Sequence, residues 1–308
     1  MCTTCGCSDG AGATITEWDD DGGHAHHHLG AHGRDHSHGH DHSHAHDDHD
    51  HDHDHGHRHD HGHADSSEHF REHERAHAKA LANAHATTVT LEQEVLAKND
   101  RLAERNRGWL AGRGILALNL VSSPGAGKTT LLERTIRELG ETVPISVVEG
   151  DQETVFDAER IRATGCRTVQ VNTGTGCHLE AEMLGDALER LDPPMRSLVM
   201  IENVGNLVCP ALFDLGEHAK VVILSVTEGD DKPLKYPHMF RAASLMVLNK
   251  TDLLPHLDFD VEACVARARR VNPEIEVVDV SATTGEGLDR WYAWLRQRLR
   301  AGGLEAAS

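Results

Sequence analysis

The sequence predicts an α/β domain, a mainly parallel sheet with helices on both faces, preceded by a disordered Cys- and His-rich tail. Three observations carry that expectation. Short apolar, β-branched runs alternate with helical patterns after residue 86. A glycine-rich loop stands between the first such run and the first helical pattern. Residues 24–63 hold 19 of the chain's 27 His, interleaved with Asp, Gly and Ser, a composition that cannot bury a core.

The chain opens on MCTTCGCSDG. Cys2, Cys5 and Cys7 can close on one borderline-soft ion such as Ni²⁺ or Zn²⁺, with Gly6 allowing the bend and the α-amino group as a candidate fourth ligand. The other reading is a redox-active tail. The His tract follows. Neutral imidazole suits Ni²⁺ and Zn²⁺, and at three to four ligands per ion the tract would hold roughly five or six. Binding there should fail below about pH 6.5, where His protonates. A buffering or solubilising tail is the alternative. His69, His73 and His77 fall on one face of a helical pattern over 66–86, either extending this store or lying in solvent. Three regions result: a Cys motif at 1–10, a His-rich region at 11–85, and a domain at 86–308 that begins with a helix.

That helix is expected from Thr90 to about Trp109, with Val95, Leu102 and Trp109 forming one stripe that packs on the domain or on a partner. Strands are expected at Ile115–Val121, Val143–Glu149, Thr168–Asn172, Leu198–Val204, Val221–Val226, Ser244–Asn249 and Glu276–Ser281. In such a sheet, ligands bind at the carboxyl ends of the strands.

The chemistry falls at those ends. VSSPGAGKTT over 121–130 reads as a phosphate-binding loop entering a helix. Gly125 and Gly127 supply positive φ, and the backbone through Ala126 and Thr130 faces the phosphates. Lys128 reaches the β- and γ-phosphates, and Thr129 offers its hydroxyl to Mg²⁺. Ser122 stands where the general pattern has Gly. Asp151 is placed to approach Mg²⁺ or orient water, or to cap the segment that follows. Glu202-Asn203-Val204-Gly205 takes the place of a D-x-x-G, its carboxylate for Mg²⁺ and Gly205 for the γ-phosphate. Asn206 follows where fast small GTPases place Gln, so slow hydrolysis is expected. Asn249-Lys250-Thr251-Asp252 is the N-K-x-D that reads guanine: Asp252 accepts from N1–H and N2–H₂, a pair adenine lacks. Ser281 and Ala282 supply a backbone N–H for O6.

Cys177 and His178 open a helical pattern, where neighbouring side chains point about 100° apart. They would bind one metal together only at a helix terminus or an interface, with Cys209 as a further ligand. A buried Cys and a surface His are the alternative. Cys166 and Cys264 read as core. The lysines of DDKPLKYP, 230–237, either reach nucleotide phosphate, from the same or a second subunit, or lie in a solvated loop.

The net charge of −20 argues against nucleic acid as a partner. No apolar run spans a membrane, and no secretory leader is apparent, so a cytoplasmic protein with thiols rather than disulfides is expected.

Taken together, MCTTCGC, the His tract, VSSPGAGKTTLLE, GTGCHLEA, IENVGNLVCP, DDKPLKYP and LNKTDLLP resemble the hydrogenase nickel-incorporation GTPase family, HypB. The resemblance implies a P-loop domain of the dimerising GTPase class and a homodimer. It also implies two metal sites, Cys2/Cys5/Cys7 and Cys177/His178 with Cys209. The implied activity is GTP-dependent storage and delivery of Ni²⁺ to a [NiFe]-hydrogenase precursor, together with a small zinc-containing carrier of the HypA type. A urease-type nickel GTPase and a metal-storage protein with a regulatory GTPase domain are the rival readings.

Overall fold

The computed structural model describes residues 14–16, 93–152 and 156–302. Expectations for Cys2, Cys5, Cys7 and the His tract therefore lie outside the described residues. A first short strand, β1 (Thr14–Thr16), precedes helix α1, residues 93–113. Then come β2 (Leu116–Ser122), α2 (Lys128–Leu139), β3 (Ile145–Asp151), α3 (Phe156–Arg162) and β4 (Arg167–Asn172). The second half continues with α4 (Ala181–Leu191), β5 (Leu198–Glu202), β6 (Ala219–Ser225), α5 (Lys232–Lys235) and α6 (Pro237–Ala242). It closes with β7 (Ala243–Asn249), α7 (Val261–Val271), β8 (Glu276–Asp279) and α8 (Leu288–Ala301).

The sheet runs β1-β4-β3-β5-β2-β6-β7-β8. Its neighbours pair in parallel except at β1–β4. β2 lies in the middle, so the chain moves outward from it in both directions and its carboxyl end opens at a switch point. Strand β2 is buried at every position, as a strand covered on both faces must be. Leu116, Leu118 and Leu120 face α2 and α8, while Ala117 and Val121 face the opposite side. Trp291 of α8 donates its indole N–H to Thr135 of α2 at 2.9 Å, so the two helices on that face are joined by a satisfied polar contact inside an apolar cluster.

Three expectations change. Residues 14–16 fall inside the region read as disordered, yet form β1. The β-branched run T-I-T lays Ile15 on the apolar cluster under α4, and Arg190 donates to its carbonyl at 3.2 Å. The α1 face is only partly the expected stripe: Trp109 packs on the apolar cluster under α4, Val95 is 49% exposed, and the buried positions are Asn99, Ala103, Asn106 and Leu110. The periodicity of apolar residues missed this face because two of its members are amides. Asn99 accepts from the Ala181 N–H at 2.9 Å, and Asn106 donates to the carbonyls of Ala181 and Leu215 at 2.7 and 3.0 Å. Third, Gly176–Glu180 do not begin the helix. They form a loop, and α4 starts at Ala181 with Glu180 as an extended N-cap.

Candidate functional site

The loop after β2 meets α2 through Gly125 and Gly127, at φ of 73° and 94°. At Gly127 space matters as well as φ: a Cβ there would lie 2.5 Å from the side-chain amide of Asn249. The phosphate loop and the N-K-x-D segment are thereby pressed together. Asn249 Nδ2 donates to the Ala126 carbonyl at 2.9 Å, and Lys250 Nζ to the Gly125 carbonyl at 2.7 Å. Asp252 accepts from Ser281 Oγ at 2.6 Å, which orients its carboxylate. The Ala282 N–H donates to Asn249 Oδ1 at 3.0 Å, so this donor braces the loop here.

A cavity of about 530 Å³ opens beside the loop. It is lined by residues 124–130, the end of β3 through Gln152, Asp157, Arg160, Glu202–Gly205 and Lys250. Asn249, Asp252, Ser281 and Ala282 lie outside this lining and meet it through Lys250. Thr129 Oγ1 donates to Glu202 Oε1 at 2.7 Å, and Lys128 Nζ lies 3.8 Å from the same oxygen. Asp151, at the end of β3, lines the same cavity. Lys232 of α5 donates to Ser123 Oγ at 3.3 Å, so one lysine of the DDKPLKYP segment touches the phosphate loop of its own chain. Exposed Lys235 pairs instead with Asp231.

Glu149 was not singled out from the sequence, and it belongs to this site. It is the register partner of Glu202 across β3 and β5. Its carboxyl is buried and pushed up to about 9, first by burial and then by Glu202 and Asp151. Burial also raises Glu202, against the pull of Lys128 and Thr129. The Oε2 atoms of both glutamates have no hydrogen-bond partner. Two buried carboxylate oxygens without donors, beside a hydroxyl and a phosphate loop, fit a hard divalent cation such as Mg²⁺. The pattern E-G-D at a strand end was the available signal for Glu149. Its strand neighbour could not be read from one dimension.

A second cluster lies in the loop before α4. Cys177 Sγ is 3.0 Å from Cys209 Sγ and 3.6 Å from His178 Nδ1. One ligand atom from each of the three residues lies within 4.8 Å of the others. Because 177 and 178 are in a loop, adjacent side chains both turn toward Cys209, and one chain brings three ligands together. The sequence reading, which placed them on a helix, required a terminus or a second subunit for this. His178 packs its ring 4.0 Å from that of Phe213, and burial lowers its imidazole to about 4, so it is neutral. Its Nε2 has no hydrogen-bond partner. Two thiols and a neutral imidazole suit Ni²⁺ or Zn²⁺.

The nucleotide-binding domain described as CobW/HypB/UreG matches residues 116–279. The chain belongs to this family. Within the CobW/HypB/UreG family it is similar to the hydrogenase maturation factor HypB of Azotobacter vinelandii, at 65% identity over 215 residues, covering 68% of this chain and 71% of that protein. The crystal structure of HypB from Archaeoglobus fulgidus is 43% identical, with a TM-score of 0.62 over 66% of this chain and 99% of that one. The crystal structure of Helicobacter pylori HypB in complex with nickel is 36% identical, with a TM-score of 0.63 over 68% and 99%. Among the described residues no helix is long and apolar enough to cross a membrane.

Proposed function

We propose that this HypB-family chain is a slow GTPase that carries Ni²⁺ as cargo and hands it to a [NiFe]-hydrogenase precursor. One observation carries the reading. The segment 202–209 begins at the carboxylate facing Thr129 and Lys128 and ends at Cys209 of the thiol–imidazole cluster. A single stretch of eight positions therefore touches both sites.

In this reading Gly125, Ala126, Gly127, Lys128 and Thr130 bind the phosphates, and Asn249, Lys250 and Asp252 hold guanine. Thr129, Asp151 and Glu202 hold Mg²⁺, which offsets phosphate charge when bound, and Glu149 joins them. Gly205 follows the γ-phosphate. Cys177, His178 and Cys209 hold the cargo in one state and release it in the other. The tail, through Cys2, Cys5, Cys7 and the His tract, stores Ni²⁺ or Zn²⁺. Homodimerisation, a HypA-type carrier, the hydrogenase large-subunit precursor and a cytoplasmic location complete the proposal. The relative from Helicobacter pylori named hydrogenase/urease maturation factor, 37% identical, keeps a second client class in view.

The test is a Ni²⁺ competition titration on the full chain with Cys2, Cys5 and Cys7 replaced by Ser. Thiolate-to-nickel absorbance then reports the Cys177/Cys209 cluster. It is run with Mg²⁺ and either GDP or a non-hydrolysable GTP analogue. We expect affinities that differ about fivefold or more. Equal affinities would sink regulated delivery from this cluster.

A further inference from the structure

The Asn206 side chain bridges the two cysteine segments of the metal cluster. Its Nδ2 donates to the Cys177 carbonyl at 3.2 Å, and its Oδ1 accepts from the Val208 N–H at 2.8 Å, one residue before Cys209. Asn206 also follows Gly205 directly. Gly205 lies against the phosphate loop so closely that a Cβ would sit 3.1–3.2 Å from three atoms of Pro124. A shift of Gly205 with the nucleotide must therefore be felt first at Asn206.

His178 is held from the other side by groups tied into the sheet, beginning with Asn203 at the end of β5. Asn203 Oδ1 accepts from the Leu179 N–H at 3.2 Å, and its Nδ2 donates to Asn119 Oδ1 at 3.1 Å. Asn119 donates to Glu217 Oε1 at 3.1 Å, and Glu217 Oε2 accepts from the Leu215 N–H at 2.7 Å. Lys220, 3.6 Å from Glu217, donates to the carbonyl of Phe213, the residue whose ring packs on His178. Asn119, Asn203, Glu217 and Lys220 are all buried. Such a satisfied buried network is stiff, because breaking any link strands a polar group. It anchors His178 to the sheet.

We infer that Asn206 is the positioning residue through which the nucleotide-facing loop sets the spacing of Cys177 and Cys209, while Asn203 keeps His178 fixed. The imidazole is then the stationary ligand and the two thiols are the movable ones. This rests on the reading above that nucleotide and nickel are coupled.

The nickel titration described above, on the full chain with serines at the tail cysteines, tests it. Asn206→Ala should reduce the difference between nucleotide states to within about twofold, against about fivefold or more without the substitution. Asn206→Asp keeps the acceptor for Val208 but loses the donor to Cys177, and should behave like Asn206→Ala. Asn203→Asp should weaken nickel binding in both states while keeping the ratio between them. Unfolding temperature and affinity for the GTP analogue, measured on each variant, separate positioning from damage: both should stay near the parent's for the two Asn206 variants. An unchanged nucleotide effect in a folded Asn206→Ala protein would overturn the inference alone. Equal affinities in the parent chain would instead overturn the coupling itself, and the inference with it.

Discussion

Thr129 Oγ1 and Glu202 Oε1 lie 2.7 Å apart, joining the first helical turn after the phosphate loop to the end of the neighbouring strand. Both residues are buried, and Lys128 reaches the same carboxylate. A hydroxyl, a carboxylate and an ammonium on one point make the phosphate loop and the 202–205 segment a single unit. Whatever occupies the cavity acts on β5 as directly as on α2.

Glu149 beside Glu202 puts two carboxyls side by side in a buried place, which costs stability in the absence of a cation. Glu149→Gln should raise the stability of the nucleotide-free protein by about 1 kcal/mol. It should also weaken Mg²⁺-dependent GTP binding about tenfold, roughly the contribution of one charge-assisted contact. Thermal unfolding with and without Mg²⁺ and GTP checks both signs. A loss of stability without ligand would contradict the account.

Gly150 lies between the two carboxylates of β3, and its missing Cβ makes room for Leu179, whose carbons would be 2.8–3.0 Å away. Leu179 is fully buried and adjoins His178. Gly150→Ala should therefore cost roughly 1–3 kcal/mol from overpacking. Nickel affinity should fall with it, because the loop that carries His178 is displaced. Denaturant unfolding together with the thiolate absorbance titration decides the matter. A stable variant with intact nickel binding would show that the loop gives way freely.

His178 supplies a pH dependence whose sign follows from burial. Its folded value, about 4, lies below the ordinary 6.5. Above pH 6.5 the imidazole is neutral whether the chain is folded or not, and it contributes nothing to the slope. Below that, the unfolded chain takes up a proton that the folded chain refuses, so stability falls as pH drops from 6.5 to about 4. The full loss from this group is about 3 kcal/mol. In metal-free protein, His178→Gln should remove that part of the slope. An identical slope in the variant would place the effect elsewhere.

Asp252 is oriented by Ser281, and in the proposed reading its carboxylate accepts two donors from the guanine edge. Asp252→Asn replaces one acceptor oxygen with a donor amide. Preference should move from GTP toward XTP, whose 2-position carries an acceptor, by about a hundredfold or more in relative affinity. Competition binding with the two nucleotides measures it. Retained GTP preference would mean that another residue reads the base.

The parts legible in the sequence are the local ones. The phosphate loop runs from a strand into a helix over ten consecutive residues, and its glycine pattern specifies the backbone almost alone. The strand runs were legible too, because residues buried on both faces need no alternation to be recognised. Their ends moved by a residue or two: β3 starts at Ile145, after Pro144, which has no N–H to give a ladder. The α1 face was misread because Asn99 and Asn106 are buried for their hydrogen bonds, which hydrophobic periodicity does not register.

By itself, then, the sequence determined an α/β nucleotide-binding domain, its phosphate loop and its N-K-x-D segment. Each is encoded by neighbours along the chain. Tertiary structure alone decided which carboxylates share the cavity and how the metal cluster closes. Glu149 meets Glu202 only because β3 and β5 pair in that register. Cys177 meets Cys209, 32 positions away, only because the loop after β4 and the segment after β5 leave the same edge of the sheet on either side of β3. Side chains that meet across a sheet are brought together by strand order and register, and these arise from the packing of the whole chain.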